Sequence, residues 1–193
     1  MSSEKQDIRR NAKLFRDHLV VSPDWNPDSS AQAARHLMEM LSFPENAVIS
    51  VYYPIGSEID PSPIVEKLWQ RNLTVCLPCI KEGQRKLIFV PWTPQTQFET
   101  RRFGIPEPVD KSVLCTPDIL IIPLLAFDQR GYRMGYGQGH YDETLASLRA
   151  QKTVLAVGLA YAEQAVLLPL PIENHDERLD MVITPQRVFD FRR

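Results

Sequence analysis

The sequence contains no apolar run long enough to cross a bilayer as a helix. Its longest apolar stretch, residues 119–127, is about half the length a membrane-spanning helix needs and is interrupted by Pro123. It also has no excess of charge of one sign. The 22 basic and 24 acidic residues leave a formal net charge of -2 and a pI near 6.1. That balance lacks the basic footprint with which nucleic-acid binders release counterions from phosphates, so any anionic ligand must be held by a local site. Cysteine is sparse. Cys76, Cys79 and Cys115 cannot all pair, and a chain of 193 residues does not need disulfide staples. Residues 1–10 are charged rather than apolar, unlike a secretory leader. The expectation is a cytoplasmic protein with neither a membrane nor a nucleic acid as partner.

With 44% apolar and 24% charged residues, the composition is that of an ordinary globular chain. A chain of this length buries about 70% of its unfolded surface, enough for one domain over residues 1–193. Residues 4–20 carry Ile8, Leu14 and Leu19 among polar positions and read as a helix, on which Lys5 and Arg9 lie one turn apart. Residues 31–41 read as a second amphipathic helix. From residue 47 short apolar runs alternate with helical ones: 47–53, then a helix over 64–70, then 74–80 and 87–92. Ser62 and Pro63 are the expected N-cap and first position of that helix. Residues 119–127 are apolar on both faces, as in a covered central strand. A glycine-rich loop follows, then a helix over 142–150 and a strand over 153–160. This alternation predicts an α/β fold, a three-layer sandwich with a mostly parallel central sheet. Ligands bind such sheets at the carboxyl ends of the strands, which singles out the loop after Phe127.

That loop reads Arg133-Met134-Gly135-Tyr136-Gly137-Gln138-Gly139-His140-Tyr141-Asp142. Alternate glycines between a strand and a helix let backbone N–H groups approach a phosphate, although the spacing also suits a plain tight turn. It is neither a Walker A loop nor a dinucleotide fingerprint. Arg133 and Asp142 offer a phosphate partner and a magnesium ligand. Residues 170–180 are carboxylate-rich. Asp176 or Asp180 could join Asp142 around a metal, or the segment could be a solvated acidic loop. His140 and His175 are open to acid–base or surface roles. Glu58 falls at another strand-to-loop junction, where a carboxylate could read the donor edge of a ring substrate or cap a helix. Phe103-Gly104-Ile105-Pro106-Glu107-Pro108 is a rigid turn that could present Phe103 to a flat ligand. The Cys76–Cys79 spacing fits a metal or redox motif. It lies in an apolar run read as a buried strand, where residues three apart point to opposite faces.

Together these residues resemble the 5-formyltetrahydrofolate cyclo-ligase family, over nearly the whole chain and in the family's order. Lys5 and Arg9 are similar to its N-terminal Lys-x-x-x-Arg, and Tyr53 to Asp60 to its glutamate-bearing strand end. Phe103 to Pro108 is similar to its Phe-Gly-Ile-x-Glu-Pro turn. Most specific are Pro-Leu-Leu-Ala-Phe-Asp from Pro123, Arg-x-Gly-x-Gly-x-Gly from Arg133, and the closing Tyr141-Asp142. The chain departs from the Gly-Gly-Gly-Tyr-Tyr-Asp of many members at Gln138 and His140, and Gln138 stands where some members carry a lysine.

The resemblance implies MgATP-driven conversion of 5-formyltetrahydrofolate to 5,10-methenyltetrahydrofolate, with release of ADP and phosphate. It implies Arg133 and Tyr141 as catalytic residues, and Lys5, Arg9, Arg133, Gly135, Gly137, Gly139 and Tyr141 as the ATP contacts. Glu58, Phe103 and Tyr141 would meet the folate, and Asp142 with Asp176 would hold magnesium. The protein is expected to be a monomer or weak homodimer with small-molecule partners. The glycine loop alone would also fit another phosphate-handling α/β enzyme, such as a sugar-phosphate isomerase or CoA-transferase relative, or a non-catalytic nucleotide binder.

Overall fold

The computed structural model describes residues 3–100 and 106–192. In chain order the elements are α1 (Ser3–Leu19), α2 (Ser29–Met40), β1 (Val48–Ser50), α3 (Ser62–Gln70), β2 (Thr74–Ile80) and β3 (Leu87–Pro91). Then come β4 (Phe98–Thr100), β5 (Pro106–Pro108), β6 (Ile119–Pro123), β7 (Ala126–Asp128), β8 (Arg133–Met134) and α4 (His140–Arg149). The last are β9 (Leu155–Leu159), β10 (Ala165–Val166), β11 (Met181–Ile183) and β12 (Val188–Asp190).

The main sheet has the order β12-β11-β9-β6-β1-β2-β3. Pairings from β11 through β2 are parallel, and the outer strands β12 and β3 run antiparallel to their neighbours. The expected mostly parallel sheet is therefore present.

Alternate residues of its strands feed two cores, one on each face. Ile49, Val75, Leu77, Ile121, Val157 and Ile183 pack with Ala33, Leu37, Ile64 and Leu68 of α2 and α3. Cys76, Leu120, Ile122, Ala156 and Val182 point the other way and pack with Leu145 and Leu148 of α4. Helices on both faces make the three layers. Among the described residues no helix is long and apolar enough to cross a membrane.

Three local expectations are corrected. The run 119–127 is two strands: β6 belongs to the main sheet, and β7 lies in a small sheet of order β10-β7-β8. Pro123, the last residue of β6, has no N–H to continue the ladder, so the chain leaves the sheet there. The strand expected over 47–53 pairs only over Val48–Ser50; Val51 still donates to Cys76 O (2.9 Å) before the chain turns toward Pro54. Helix α3 begins one residue earlier than expected. Pro61 occupies its N-cap position, and Asp60 Oδ1 accepts from the N–H (2.9 Å) and Oγ (2.7 Å) of Ser62.

Candidate active site

At the carboxyl edge of the sheet the chain leaves β1 into residues 51–61, β6 into Leu124 and Leu125, and β9 into Ala160 to Gln164. Helix α1 reaches three of the segments gathered around this edge. Positions 5, 9 and 16 return to one side of a helix of 3.6 residues per turn, and each carries a cation to a different segment. Lys5, almost fully buried, lies 2.8 Å from Asp176 Oδ2 and 3.2 Å from Glu173 Oε1. Arg9 donates from Nε to Gly135 O (3.1 Å). Arg16, 1% exposed, donates from Nε to Ser57 Oγ (3.0 Å), from Nη1 to Leu124 O (3.1 Å) and from Nη2 to the Tyr136 hydroxyl (2.7 Å). Ile8 and Ala12 on the same side seat the helix against Ala126, Met134 and Leu170.

The glycine loop wraps around Arg9. Gly137 has φ +87°, and a Cβ there would stand 2.9 Å from Arg9 Cζ, so the guanidinium rests directly on the glycine backbone. Gly139, at φ +72°, is the N-cap residue of α4, whose first turn carries Asp142 and Glu143. The amino end of this helix and the positive-φ turns direct backbone N–H groups outward, where an anion would be favoured. His140 Nδ1 lies 2.6 Å from Arg85 O, and Thr144 Oγ1 accepts from Leu87 N (2.9 Å), so α4 is tied to β3.

Arg133 is locked at the base of this loop. Its Nη2 donates to Asp142 Oδ1 (2.8 Å) and its Nη1 to Glu177 O (2.7 Å). Asp142 Oδ1 also accepts from Glu177 N (3.0 Å), which fastens the acidic loop to α4. Asp180 is held elsewhere, accepting from Arg149 Nη2 (3.0 Å) and Ala156 N (2.7 Å). Asp176 lies below the usual carboxylate range, because burial, which pushes it up, is outweighed by Lys5 and the Glu173 N–H. His175 is exposed, 3.5 Å from Glu173.

Glu58 is the buried carboxylate of the site, 7% exposed. Its Oε2 accepts from Ile55 N (2.9 Å), and its Oε1 is buried with no hydrogen-bond partner among the described residues; Arg16 Nη1 stands 4.0 Å away. Burial raises its pKa against the opposing pull of the Ile55 N–H, Arg16 and the Tyr136 hydroxyl. The phenols of Tyr52, Tyr136 and Tyr141 are raised by burial and then by the Glu58 charge. Tyr161 is pushed up to about 12, chiefly by burial. All four stay protonated through the physiological range, and Tyr141 senses both Glu58 and Arg133.

The structure thus groups Lys5 with Asp176, Arg9 with Gly135 and Gly137, Arg133 with Asp142, and Tyr141 with Glu58 and Arg133. Phe103 lies outside the described residues. Arg16 and Tyr136 were not singled out by the sequence. The one signal was Arg16 on the Lys5/Arg9 face, and Arg10 and Lys13 on the same helix obscured it. The three cysteines are free, and Cys76 adjoins Cys115 rather than forming a motif with Cys79.

The donor set can be tested against magnesium. Among the described residues no three or more His, Cys, Asp or Glu side chains cluster as a metal cage. Asp142 has one oxygen, Oδ1, engaged by Arg133 and Glu177 N, and its side chain is 21% exposed. One or two carboxylates beside a phosphate cradle fit an ion that keeps several waters and takes its remaining oxygens from phosphates.

Comparison with known proteins places the chain in a family. A 5-formyltetrahydrofolate cyclo-ligase from Escherichia coli K12 is 33% identical over 177 residues, spanning 89% of this chain and 96% of the relative. One from Saccharomyces cerevisiae is 35% identical over 210 residues, spanning 93% and 94%. The NMR structure of Aquifex aeolicus 5,10-methenyltetrahydrofolate synthetase superposes with a TM-score of 0.78 at 26% identity, over 98% of this chain and 93% of that one. A model of the 5-formyltetrahydrofolate cyclo-ligase family matches residues 1–185. The chain therefore belongs to the 5-formyltetrahydrofolate cyclo-ligase family of ATP-dependent carbon–nitrogen ligases.

Proposed function

We propose that this chain, acting as one domain, uses MgATP to convert 5-formyltetrahydrofolate to 5,10-methenyltetrahydrofolate, releasing ADP and phosphate. The observation that carries the reading is Glu58 Oε1, a buried acceptor with no partner among the described residues, linked through Arg16 and Tyr136 to a glycine loop. A buried carboxylate oxygen without a donor is costly unless a ligand supplies one. The N–H edge of a pterin does so, and the glycine loop beside it suits the polyphosphate.

A formyl oxygen on an amide-like nitrogen is a poor leaving group. In the proposed reaction it attacks the γ-phosphorus of ATP, and ADP departs. The neighbouring folate amine then attacks the activated formyl carbon, loses its proton, and expels phosphate as the ring closes. Such phosphoryl transfer depends on positioning and charge neutralisation rather than on a protein nucleophile.

Lys5 and Arg9 face the phosphates, while Gly135, Gly137 and Gly139 supply backbone donors. Arg133 has its terminal nitrogens on Asp142 and Glu177 O, so its part is to hold Asp142 in place and add positive charge behind the phosphates. Asp142, with Asp176, would hold magnesium, which when bound neutralises phosphate charge. Tyr141 stays protonated and feels the charges of both the folate carboxylate Glu58 and the nucleotide-side Arg133. Phe103 would add an aromatic wall to the folate. The cytoplasmic setting is supported by three unpaired thiols.

The test is near-ultraviolet absorbance of purified protein with 5-formyltetrahydrofolate and MgATP. A rise that requires enzyme, ATP and metal together is expected. Folded protein that binds ATP and gives no rise would overturn the proposal.

A further inference from the structure

All three guanidinium nitrogens of Arg16 are engaged. It is 1% exposed and joins three chain segments. Ser57 adjoins Glu58 in the loop after β1, Leu124 O lies at the break after β6, and Tyr136 stands inside the glycine loop. Ser57 in turn donates to Asp17, which fixes the hydroxyl on the far side from the ligand edge. The Leu124 carbonyl is held from the other direction by Gln164 Nε2 (2.8 Å). Arg16 therefore sits on a rigid frame and comes only to 4.0 Å of Glu58 Oε1, close enough to balance its charge and too far to donate to it. The result is a carboxylate that Arg16 and the nearby Tyr136 hydroxyl compensate, and whose Oε1 accepts no well-formed hydrogen bond from the described residues.

We propose that Arg16 is a positioning residue for the folate side of the reaction. It holds Glu58 aimed at the substrate with Oε1 left to accept from it, and through Tyr136 fixes the glycine loop in register with that carboxylate. This rests on the reading of Glu58 as the folate contact.

The groups around Glu58 single out Arg16. Tyr52 beyond β1, Tyr136 in the glycine loop, Tyr141 on α4 and Tyr161 after β9 are phenols raised by burial, hence neutral. Arg133 and Asp60 act on Tyr141 and Tyr161 respectively, and Asp17 meets Ser57 and also feels the Arg16 charge. Arg16 is the cation that holds Glu58 down against burial. A lysine at this position keeps the charge but cannot reach Ser57, Leu124 O and Tyr136 at once, because it lacks the planar fork of the guanidinium.

The experiment compares Arg16→Lys, Tyr136→Phe and Glu58→Gln by the absorbance assay, varying folate and ATP separately across pH. Arg16→Lys is expected to lower kcat/KM for folate by about tenfold or more, the scale of a misplaced charge-assisted contact. Its acid limb should move to higher pH, with KM for ATP changed by less than about threefold. Tyr136→Phe removes the hydroxyl that meets Arg16 and Glu58 from a side chain that is 43% exposed, so it tests the idea even if Arg16→Lys fails to fold; a smaller loss in the same direction is expected. A merely structural Arg16 would reduce the yield of active protein and leave KM and the acid limb in place. If Glu58→Gln lowers kcat/KM for folate while both other variants match the parent, the Arg16 proposal is overturned and the Glu58 reading stands. If Glu58→Gln itself leaves folate kinetics unchanged, the underlying reading falls with it.

Discussion

The three loop glycines separate backbone strain from ligand binding, because each would meet an alanine methyl differently. At Gly135 a Cβ finds nothing within 4 Å and φ is not positive, so Gly135→Ala should leave stability unchanged or slightly raised. At Gly139 a Cβ also finds nothing within 4 Å, but φ is +72°. An L-residue there costs about 1–2 kcal/mol of left-handed strain, which in a chain of this size lowers Tm by about 2–8 °C. Gly137, at φ +87°, carries the same strain and one thing more: its Cβ would stand 2.9 Å from Arg9 Cζ and 3.1 Å from Nε. The atoms in the way are the far end of a flexible side chain, so the guanidinium can swing aside at little steric cost. Swinging aside gives up the Arg9 bond to Gly135 O, so Gly137→Ala should be less stable than Gly139→Ala by about 0.5–1.5 kcal/mol.

The two variants should part in ATP use. With Arg9 displaced from the loop, a charge-assisted contact of about 1.5–3 kcal/mol to phosphate is lost. That corresponds to a rise of about 10- to 100-fold in KM for ATP for Gly137→Ala, with Gly139→Ala well below it. Thermal unfolding followed by circular dichroism and ATP titration in the absorbance assay measure both quantities on the same samples. Equal ATP defects at 137 and 139 would refute the role given to the Arg9 contact, and a Gly135→Ala variant as unstable as Gly137→Ala would refute the strain argument.

Asp142→Asn keeps an acceptor for Arg133 and Glu177 N but removes the charge. It should stay folded and need at least about tenfold more magnesium for half-maximal turnover, and an unchanged magnesium titration would remove Asp142 from the metal site. The Lys5–Asp176 pair should stabilise the fold in a pH-dependent way. Asp176 titrates below its ordinary 3.8 in the folded state, so its contribution is present above that value and is lost as pH falls through the folded value. The gap in urea midpoint between the parent and Lys5→Met should be full at neutral pH and shrink below about pH 4; a gap constant with pH would show the pair contributes nothing through ionisation. Cys76 lies beside Cys115, and the interaction of the two thiols lowers Cys115 to about 7. Cys115 should therefore be alkylated before the buried Cys76 and Cys79, and Cys76→Ala should move the pH midpoint of that reaction upward, with no movement counting against the contact.

The alternation of strands and helices was legible because both faces of the sheet are covered, so strands such as residues 74–80 and 153–160 read as continuous apolar runs. The glycine loop, Glu58 and the Lys5/Arg9 pair were legible because their residue types sit at strand-to-loop junctions or at helical spacing. The break after Pro123 was less visible, since Ala126 and Phe127 are as apolar as the strand they follow and only the missing N–H marks the boundary. Arg16 was hidden for a different reason. Amphipathic reading assigns cations to the solvent face, and α1 carries Arg10 and Lys13 exposed there. Only tertiary contacts with three separate loops distinguish Arg16 from them.

The same contacts explain how a helix with a modest apolar stripe belongs to the fold at all. Only Ile8, Ala12, Leu19 and their immediate neighbours give α1 a hydrophobic footing. Lys5, Arg9 and Arg16 supply the rest by engaging the acidic loop, the glycine loop and the loop after β1. Docking of α1 and assembly of the site are therefore one event. A buried cation tolerates desolvation only when paired or hydrogen-bonded, and Lys5, Arg9 and Arg16 find their partners only when the loops they engage are in place. The charge distribution follows from this. Gln138 contributes no cation to the loop, so compensation for an incoming polyphosphate comes from α1 above and Arg133 below. Because Lys5 already lies against Asp176 and Glu173, a phosphate near it must share the ammonium with those carboxylates. Binding should thus weaken the Lys5–Asp176 contact as it forms, which makes the acidic loop the part of the site whose energy changes most when nucleotide arrives.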